Sequence, residues 1–439
     1  MRASRLERPR YPPTDGDRWR GHTALTVQRG EVTGVAPVTA SERVGELDVL
    51  RGFALLGVLL VHLNTWPAAP LLATDAQWAE LTAPAVDRTA EFFVSWLFYD
   101  KANTLFAFLF GVGFWVQMQR MEARGANFSA LYLRRLMVLL IIGVLNMVFV
   151  WQWDILNLYA LAGFALFAVR DLRDRTLLFA GLLLALTGRP VADFLFESSG
   201  LTAASLERAF SQAEIFARQT TGTYWEAYSD FARLNWLEWL SGGVIVGWFF
   251  YALGRFMVGA YVARRGWIQR AREMLPQYRF WMAICLPLGL AGEFLAASLS
   301  LETMPALSSL APYARAFHYL SVPLLAAGYL CLIIVIFHSR AAGLVRLFAP
   351  VGRMALTNYV LQGVFIAFLL YDFPPALGLL GEIGPARLTV YGLSFFALQI
   401  IASHVWLGWF AYGPLEWVWR ALTYSKRPTM RRQVALGAG

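Results

Sequence analysis

ELDVLRGFALLGVLLVHLNTW, residues 46–66, decides how the rest of this chain is read. Two acids and an Arg-Gly pair open it, and the apolar run that follows is interrupted by His62. Arg51 and His62 stand eleven positions apart, which is about three helical turns and roughly 16 Å along the axis. Both side chains therefore leave the same face of one helix, one near each end. Charged and titratable groups inside a membrane are costly and usually mark a site or a pathway. A plainer reading stands beside it: Arg51 snorkels to the headgroups and a neighbouring helix satisfies His62.

The composition sets the context for that helix. Of 439 residues, 58% are hydrophobic and 15% charged, against about one quarter charged in a soluble domain. With a mean hydropathy of +0.49, the expected fold is all-α, a polytopic integral membrane helical bundle. More than forty polar, Arg-rich residues precede the first apolar segment, so no secretory signal is expected. The formal charge of +9 sits in clusters between apolar segments, where it sets orientation, and points to no nucleic-acid partner. Cys285 and Cys331 both lie in apolar segments and imply no disulfide.

Residues 1–43 read as a disordered basic cytoplasmic arm, 44–425 as the transmembrane helical domain and 426–439 as a basic cytoplasmic tail. About ten spans are expected. The first five fall at 49–66, 104–118, 136–151, 155–169 and 176–191, the fifth ending near Pro190. The others fall at 237–262, 281–300, 317–338, 354–371 and 388–411. The aromatic stretch 91–99 and the periodic segments in the acidic loop 192–235 read as interfacial amphipathic helices. Arg-rich loops alternate with acidic ones, which places both termini in the cytoplasm. His62 and Asp154 then face outward, and Arg51, Arg134 and Arg135 face inward.

Several polar residues need an explanation. Asn146, Gln152, Asp154 and Asn157 gather around the turn between the third and fourth spans. Asp154 there either orients an imidazole or caps the apolar helix that follows, and the two roles are compatible. Glu293, inside the seventh span, requires a partner or a proton, an Arg pairing being as good an account as catalysis. His318 and His404 are expected near outer span ends, merely solvated. Arg353, Thr357, Asn358 and Gln362 make a polar start to the ninth span, where cations would suit an anionic cosubstrate. Ordinary positive-inside charge also accounts for those arginines. Gly111 and Gly113 read as helix packing through small residues. No metal-ligand spacing is present, and no metal is expected.

LDVLRGFALLGVLLVH (47–62), KANTLFAFLFGVGF (101–114), VGRMALTNYVLQ (351–362) and YGPLEWVWRALTY (412–424) together resemble the YeiB-like bacterial membrane proteins, domain of unknown function 418. More distantly, the LD-x-LRG start resembles transmembrane acyltransferases of the heparan-glucosamine N-acetyltransferase and acyltransferase-3 types. In the latter an Arg, ten residues and a His on the first helix is the hallmark, which falls here on Arg51 and His62. The resemblance implies transfer of an acyl group from cytoplasmic acyl-CoA to a hydroxyl or amine of an extracytoplasmic glycan, lipid or small molecule. It implies His62, Asp154 and Asn146 as the catalytic group, and Arg51, Lys101, Arg353 and Asn358 as donor-binding residues. Many members carry Asn at the His62 position and His near the Asn146 position. The exchange seen here implies either that the base has changed helices within one shared site, with Asp154 nearby, or that neither histidine is catalytic.

The expected setting is the bacterial inner membrane, with lipid as a partner and a homodimer left open. Two other classes compete. One is a transporter or channel lined by Arg51, His62, Asp154 and Glu293, against which the lack of an internal repeat weighs. The other is a non-catalytic scaffold or sensor.

Overall fold

The computed structural model describes residues 44–65, 75–123, 128–151, 154–198, 222–226, 228–229, 244–372 and 375–432. The basic arm, the last part of the tail and most of the helices expected in the acidic loop lie outside them. The described residues form a helical bundle. Its first half contains α1 (Gly45–Thr65), α2 (Asp75–Leu81), α3 (Ala85–Leu97), α4 (Lys101–Ala123), α5 (Phe128–Phe149), α6 (Leu156–Ala168) and α7 (Asp174–Ser198). Then come α8 (Val244–Arg264), α9 (Leu275–Ser300), α10 (Ala314–Phe337), α11 (Ala342–Arg346), α12 (Ala349–Arg353), α13 (Ala355–Leu370), α14 (Pro385–Trp409) and α15 (Pro414–Tyr424).

Each segment expected to span contains a helix among its described residues. Among the described residues, five helices are long and apolar enough to cross a membrane, or six if the bent pair around Met354 counts as one span. The chain is thus a polytopic helical membrane protein, and its described residues hold fewer self-sufficient spans than the expected ten. At 13 residues, α6 falls short of the roughly 17 a crossing needs. The aromatic stretch at 91–99 belongs to α3, which starts earlier than expected, at Ala85. Pro190 does not end the fifth segment: it sits inside α7, which continues to Ser198. An embedded helix tolerates such a proline when neighbours serve the local backbone; one residue before the carbonyl that Pro190 leaves without a donor, Arg255 Nη1 donates to the Ala185 carbonyl at 3.0 Å.

α1 is the axis of the bundle. It packs against α3, α4, α10, α12, α13 and α14, and Leu50, Leu55, Leu59 and Leu63 are fully buried. On one side Leu50 and Ala54 join Leu105, Leu109, Leu325 and Tyr329. On the other, Leu55, Leu59 and Leu63 join Trp151, Tyr359, Leu388 and Phe396. Lipid tails are as apolar as these residues, so close packing rather than water exclusion holds helices together here. Small residues permit that approach. A Cβ on Gly352 would overlap the Asp48 carbonyl of α1, and one on Gly52 would overlap the Phe348 carbonyl. Gly111 and Gly259 bring α4 and α8 together in the same reciprocal way, as expected for Gly111.

The chain turns by 83° between the α11–α12 segment and α13. That bend leaves the first N–H groups of α13 without carbonyl partners. Glu416 of α15 supplies them: its carboxylate accepts from Leu356 N at 2.7 Å, Thr357 N at 3.1 Å and Thr357 Oγ1 at 2.6 Å. A carboxylate at a helix N-terminus also meets the positive end of the helix dipole. Burial pushes the Glu416 carboxyl above its ordinary range, while the donors from Thr357 and Leu356 pull it back. Glu416→Ala is expected to cost about 2 kcal/mol of stability and to lower the thermal midpoint of the purified protein. Glu416→Gln, which keeps an acceptor, recovers part of it. An unchanged midpoint in Glu416→Ala would contradict this role.

Candidate functional site

α1 and α4 run antiparallel, with Gly57 facing Ala102 and Arg51 beside Gly113. The His62 end of α1 therefore meets the start of α4, and the Arg51 end meets its second half.

At the His62 end, the half-buried His62 ring stacks on Trp151, with centroids 4.6 Å apart and planes inclined at 27°. Among the described residues neither ring nitrogen of His62 has a hydrogen-bond partner. Trp151 follows directly on the end of α5, and its backbone N donates to the Asn146 carbonyl at 2.7 Å. Asn146 Nδ2 donates to Asp154 Oδ1 at 3.0 Å. Asp154, fully buried, also accepts from Leu156 N at 3.1 Å and Asn157 N at 3.4 Å, and bonds the Tyr359 hydroxyl. Asp154 thus caps α6, as one sequence reading has it, and clamps Asn146 rather than an imidazole. His62 and Asn146 meet only through Trp151. Asn146 Oδ1 is buried with no hydrogen-bond partner, an acceptor left over at the centre of the group.

A second polar group lies at the same end, around the first turn of α4. Lys101 is 1% exposed, and its Nζ donates to Glu293 Oε2 of α9 at 2.5 Å and to the Ser95 carbonyl at 2.8 Å. His318 of α10 stands between two carboxylates, with Nδ1 3.1 Å from Glu293 Oε2 and Nε2 3.2 Å from Asp100 Oδ2. An imidazole facing carboxylates on both sides is best satisfied with a proton on each nitrogen. Arg189 of α7 approaches Asp100 Oδ2 at 4.0 Å and lies over the Trp248 ring at 4.2 Å. Arg255 of α8 donates to Thr104 Oγ1 at 3.0 Å and to the Tyr251 carbonyl at 3.1 Å. Five helices are tied together at this point.

At the other end Arg51 pairs with Asp48 at 3.2 Å. Arg135 of α5 lies over the Trp419 ring at 3.7 Å, and Trp419 Nε1 donates to the Arg135 carbonyl at 2.9 Å. Arg51 and Arg420 both come close enough to repel the Arg135 charge. Arg353 follows Gly352 at the contact between α12 and α1.

Of the proposed donor-binding residues, then, only Arg51 and Arg353 share this end. Lys101 lies twelve residues before Gly113 on α4, roughly 18 Å away along the axis, and is engaged with Glu293. Asn358 is built into the core, donating to Ser403 Oγ at 3.0 Å and the Val351 carbonyl at 3.2 Å. Glu293 finds its partner in Lys101 rather than an arginine, and His318 is bonded rather than merely solvated. His404 is exposed, with Nδ1 3.0 Å from the Ile400 carbonyl of its own helix, and it adjoins Ser403 at the Arg51 end. Asp100, Arg189 and Arg255 were missed from sequence. Arg189 and Arg255 carried a readable signal, each being a lone cation inside an otherwise apolar run.

Buried, mutually paired charges on long apolar helices are those of a polytopic membrane protein. The chain belongs to the DUF418 family, described as Protein of unknown function (DUF418), whose profile matches residues 262–426. Uncharacterized protein YxaH of Bacillus subtilis (strain 168) is 31% identical over 420 residues, covering 90% of this chain and 97% of that one. Uncharacterized protein YeiB of Escherichia coli (strain K12) is 29% identical over 398 residues, covering 87% and 96%. A Bacillus acidopullulyticus protein described as an uncharacterized 39.9 kDa protein in the amylase 3′ region is 30% identical, covering 89% and 96%. No solved structure matches the chain.

Asn146→Ala would leave Asp154 Oδ1 without its donor in a buried setting, at an expected cost of about 1–3 kcal/mol. Thermal unfolding of the purified variant reads this directly. A variant as stable as the parent would show that the clamp does not hold α5 to α6.

Proposed function

We propose that the chain is a membrane-embedded acyltransferase, taking an acyl group from cytoplasmic acyl-CoA to a hydroxyl or amine presented on the other side. The observation that supports this most is the state of His62. It is half-buried, both its nitrogens are unengaged among the described residues, and it sits beside the Asn146–Asp154 clamp at one end of the helix whose other end carries Arg51. An imidazole with an open nitrogen can take the acceptor's proton. The acceptor oxygen or nitrogen then attacks the thioester carbonyl, the carbon–sulfur bond breaks, and the thiolate leaves with the proton held by His62. Arg51 and Arg353, with Arg135 close by, suit the phosphates of the donor. The roughly 16 Å between Arg51 and His62 would be bridged by the donor's extended pantetheine arm. Neither Lys101 nor Asn358 is part of this donor site.

This reading carries an orientation: both termini in the cytoplasm, Arg51 facing inward and His62 outward, in the inner membrane of a bacterium. A small-solute transporter is the second reading. The Lys101–Glu293–His318–Asp100 chain favours it, because joined titratable groups inside a membrane also serve as relays.

Purified protein incubated with radiolabelled acetyl-CoA and a membrane extract of acceptors is expected to release CoA. His62→Ala abolishes that release without loss of expression. The exchange His62→Asn with Asn146→His recovers more activity than His62→Asn alone. Full activity in His62→Ala would refute the assignment, and solute uptake into vesicles without CoA release would favour the transporter.

A further inference from the structure

The charged group around Lys101 does not balance. Its acids are Asp100 and Glu293, and its fixed cations are Lys101, Arg189 and Arg255. Even with His318 neutral, one positive charge is in excess, and a proton on His318 adds another. Among the described residues, no other Asp or Glu comes within ion-pair distance of these cations. Arg255 is held by neutral oxygens alone, from Thr104, Ala185 and Tyr251. A net cation among apolar helices is costly, and proteins keep such charge where something neutralises it.

Arg189 is where the neutralising group would enter. Its side chain is 19% exposed, against 1% for Lys101 and 2% for Glu293. Its Cζ lies over the Trp248 ring, 4.2 Å from the centroid. Nη1 makes no hydrogen bond, because Asp100 stops short at 4.0 Å. A planar fork with an unused donor, backed by an aromatic face, matches the two oxygens of a carboxylate.

We propose that this group is a binding site for a small carboxylate anion, held by Arg189 at the His62 end of the bundle. The site is separate from the acyl-transfer reading, since among the described residues none of its side chains bonds His62, Asn146 or Asp154. A carboxylate there would bring the charge of the group toward neutrality and fasten α7 to α4.

The test uses the full-length protein in a neutral detergent, with thermal unfolding followed in acetate, chloride and acetamide at matched ionic strength. Acetate is expected to raise the midpoint saturably, more than chloride does, and acetamide not at all. Arg189→Gln erases the acetate response. Arg189→Lys keeps the charge but loses the fork, and weakens acetate at least tenfold. Saturation-transfer NMR of acetate on the parent protein gives a reading that needs no variant. Absence of a saturable acetate signal, an equal response to chloride, or a response that survives in Arg189→Gln would each overturn the proposal.

Discussion

Inside an apolar bundle, a polar side chain has no water to turn to and must find its partner on another helix. Lys101 and Glu293 show how strictly the structure obeys this. The most deeply buried ammonium of the described chain bonds a carboxylate 192 residues away, and His318, Asp100 and Arg189 extend the link to neighbouring helices. The same requirement shapes the centre of the bundle. Gln362 Nε2 donates to Gln399 Oε1 at 3.0 Å and to the Leu55 carbonyl at 3.3 Å, which ties α13 to α14 and α1. Asn64 Nδ2 reaches Thr389 Oγ1 at 3.2 Å. Apolar packing between helices gains little over lipid, so these polar contacts and the glycine crossings specify which helix lies beside which.

Against that background the exception is informative. Among the described residues His318 is held at both nitrogens, whereas His62 is held at neither and rests on Trp151. A histidine placed by stacking retains its capacity to exchange a proton with something else. The bundle spends hydrogen bonds on Asp154 and Asn146, next to that ring, and leaves Asn146 Oδ1 unused. One polar group at this end is therefore closed on itself, and the other is open at His62.

Much of the architecture was legible because it rests on local pattern. Apolar run length located the long helices of the bundle but not α2, α11, α12 or α15, the Asp154 cap followed from its place before an apolar helix, and α1 stood out by its Arg51–His62 spacing. Long-range pairing was not legible. Nothing periodic links Lys101 to Glu293 or His318 to Asp100, since each pair is assembled by helix packing. Lys101 is grouped with Arg51 in the sequence reading as a donor-binding cation, although chain order already sets it at the opposite end. Pro190 and the bend at Met354 mark the other limit. A proline ends a helix in water, but an embedded helix continues through it when its neighbours serve the backbone, and a bend is stable only because Glu416 arrives from another helix.

The account stands or falls on whether buried charges hold one another rather than face lipid or solvent. The direct measurement is a double-mutant cycle on Lys101→Met and Glu293→Leu, read by unfolding of the purified protein. Each single change is expected to strand a buried charge and cost about 3–5 kcal/mol, while the double change recovers most of that loss. Additive effects of the two substitutions, with no coupling between them, would contradict it.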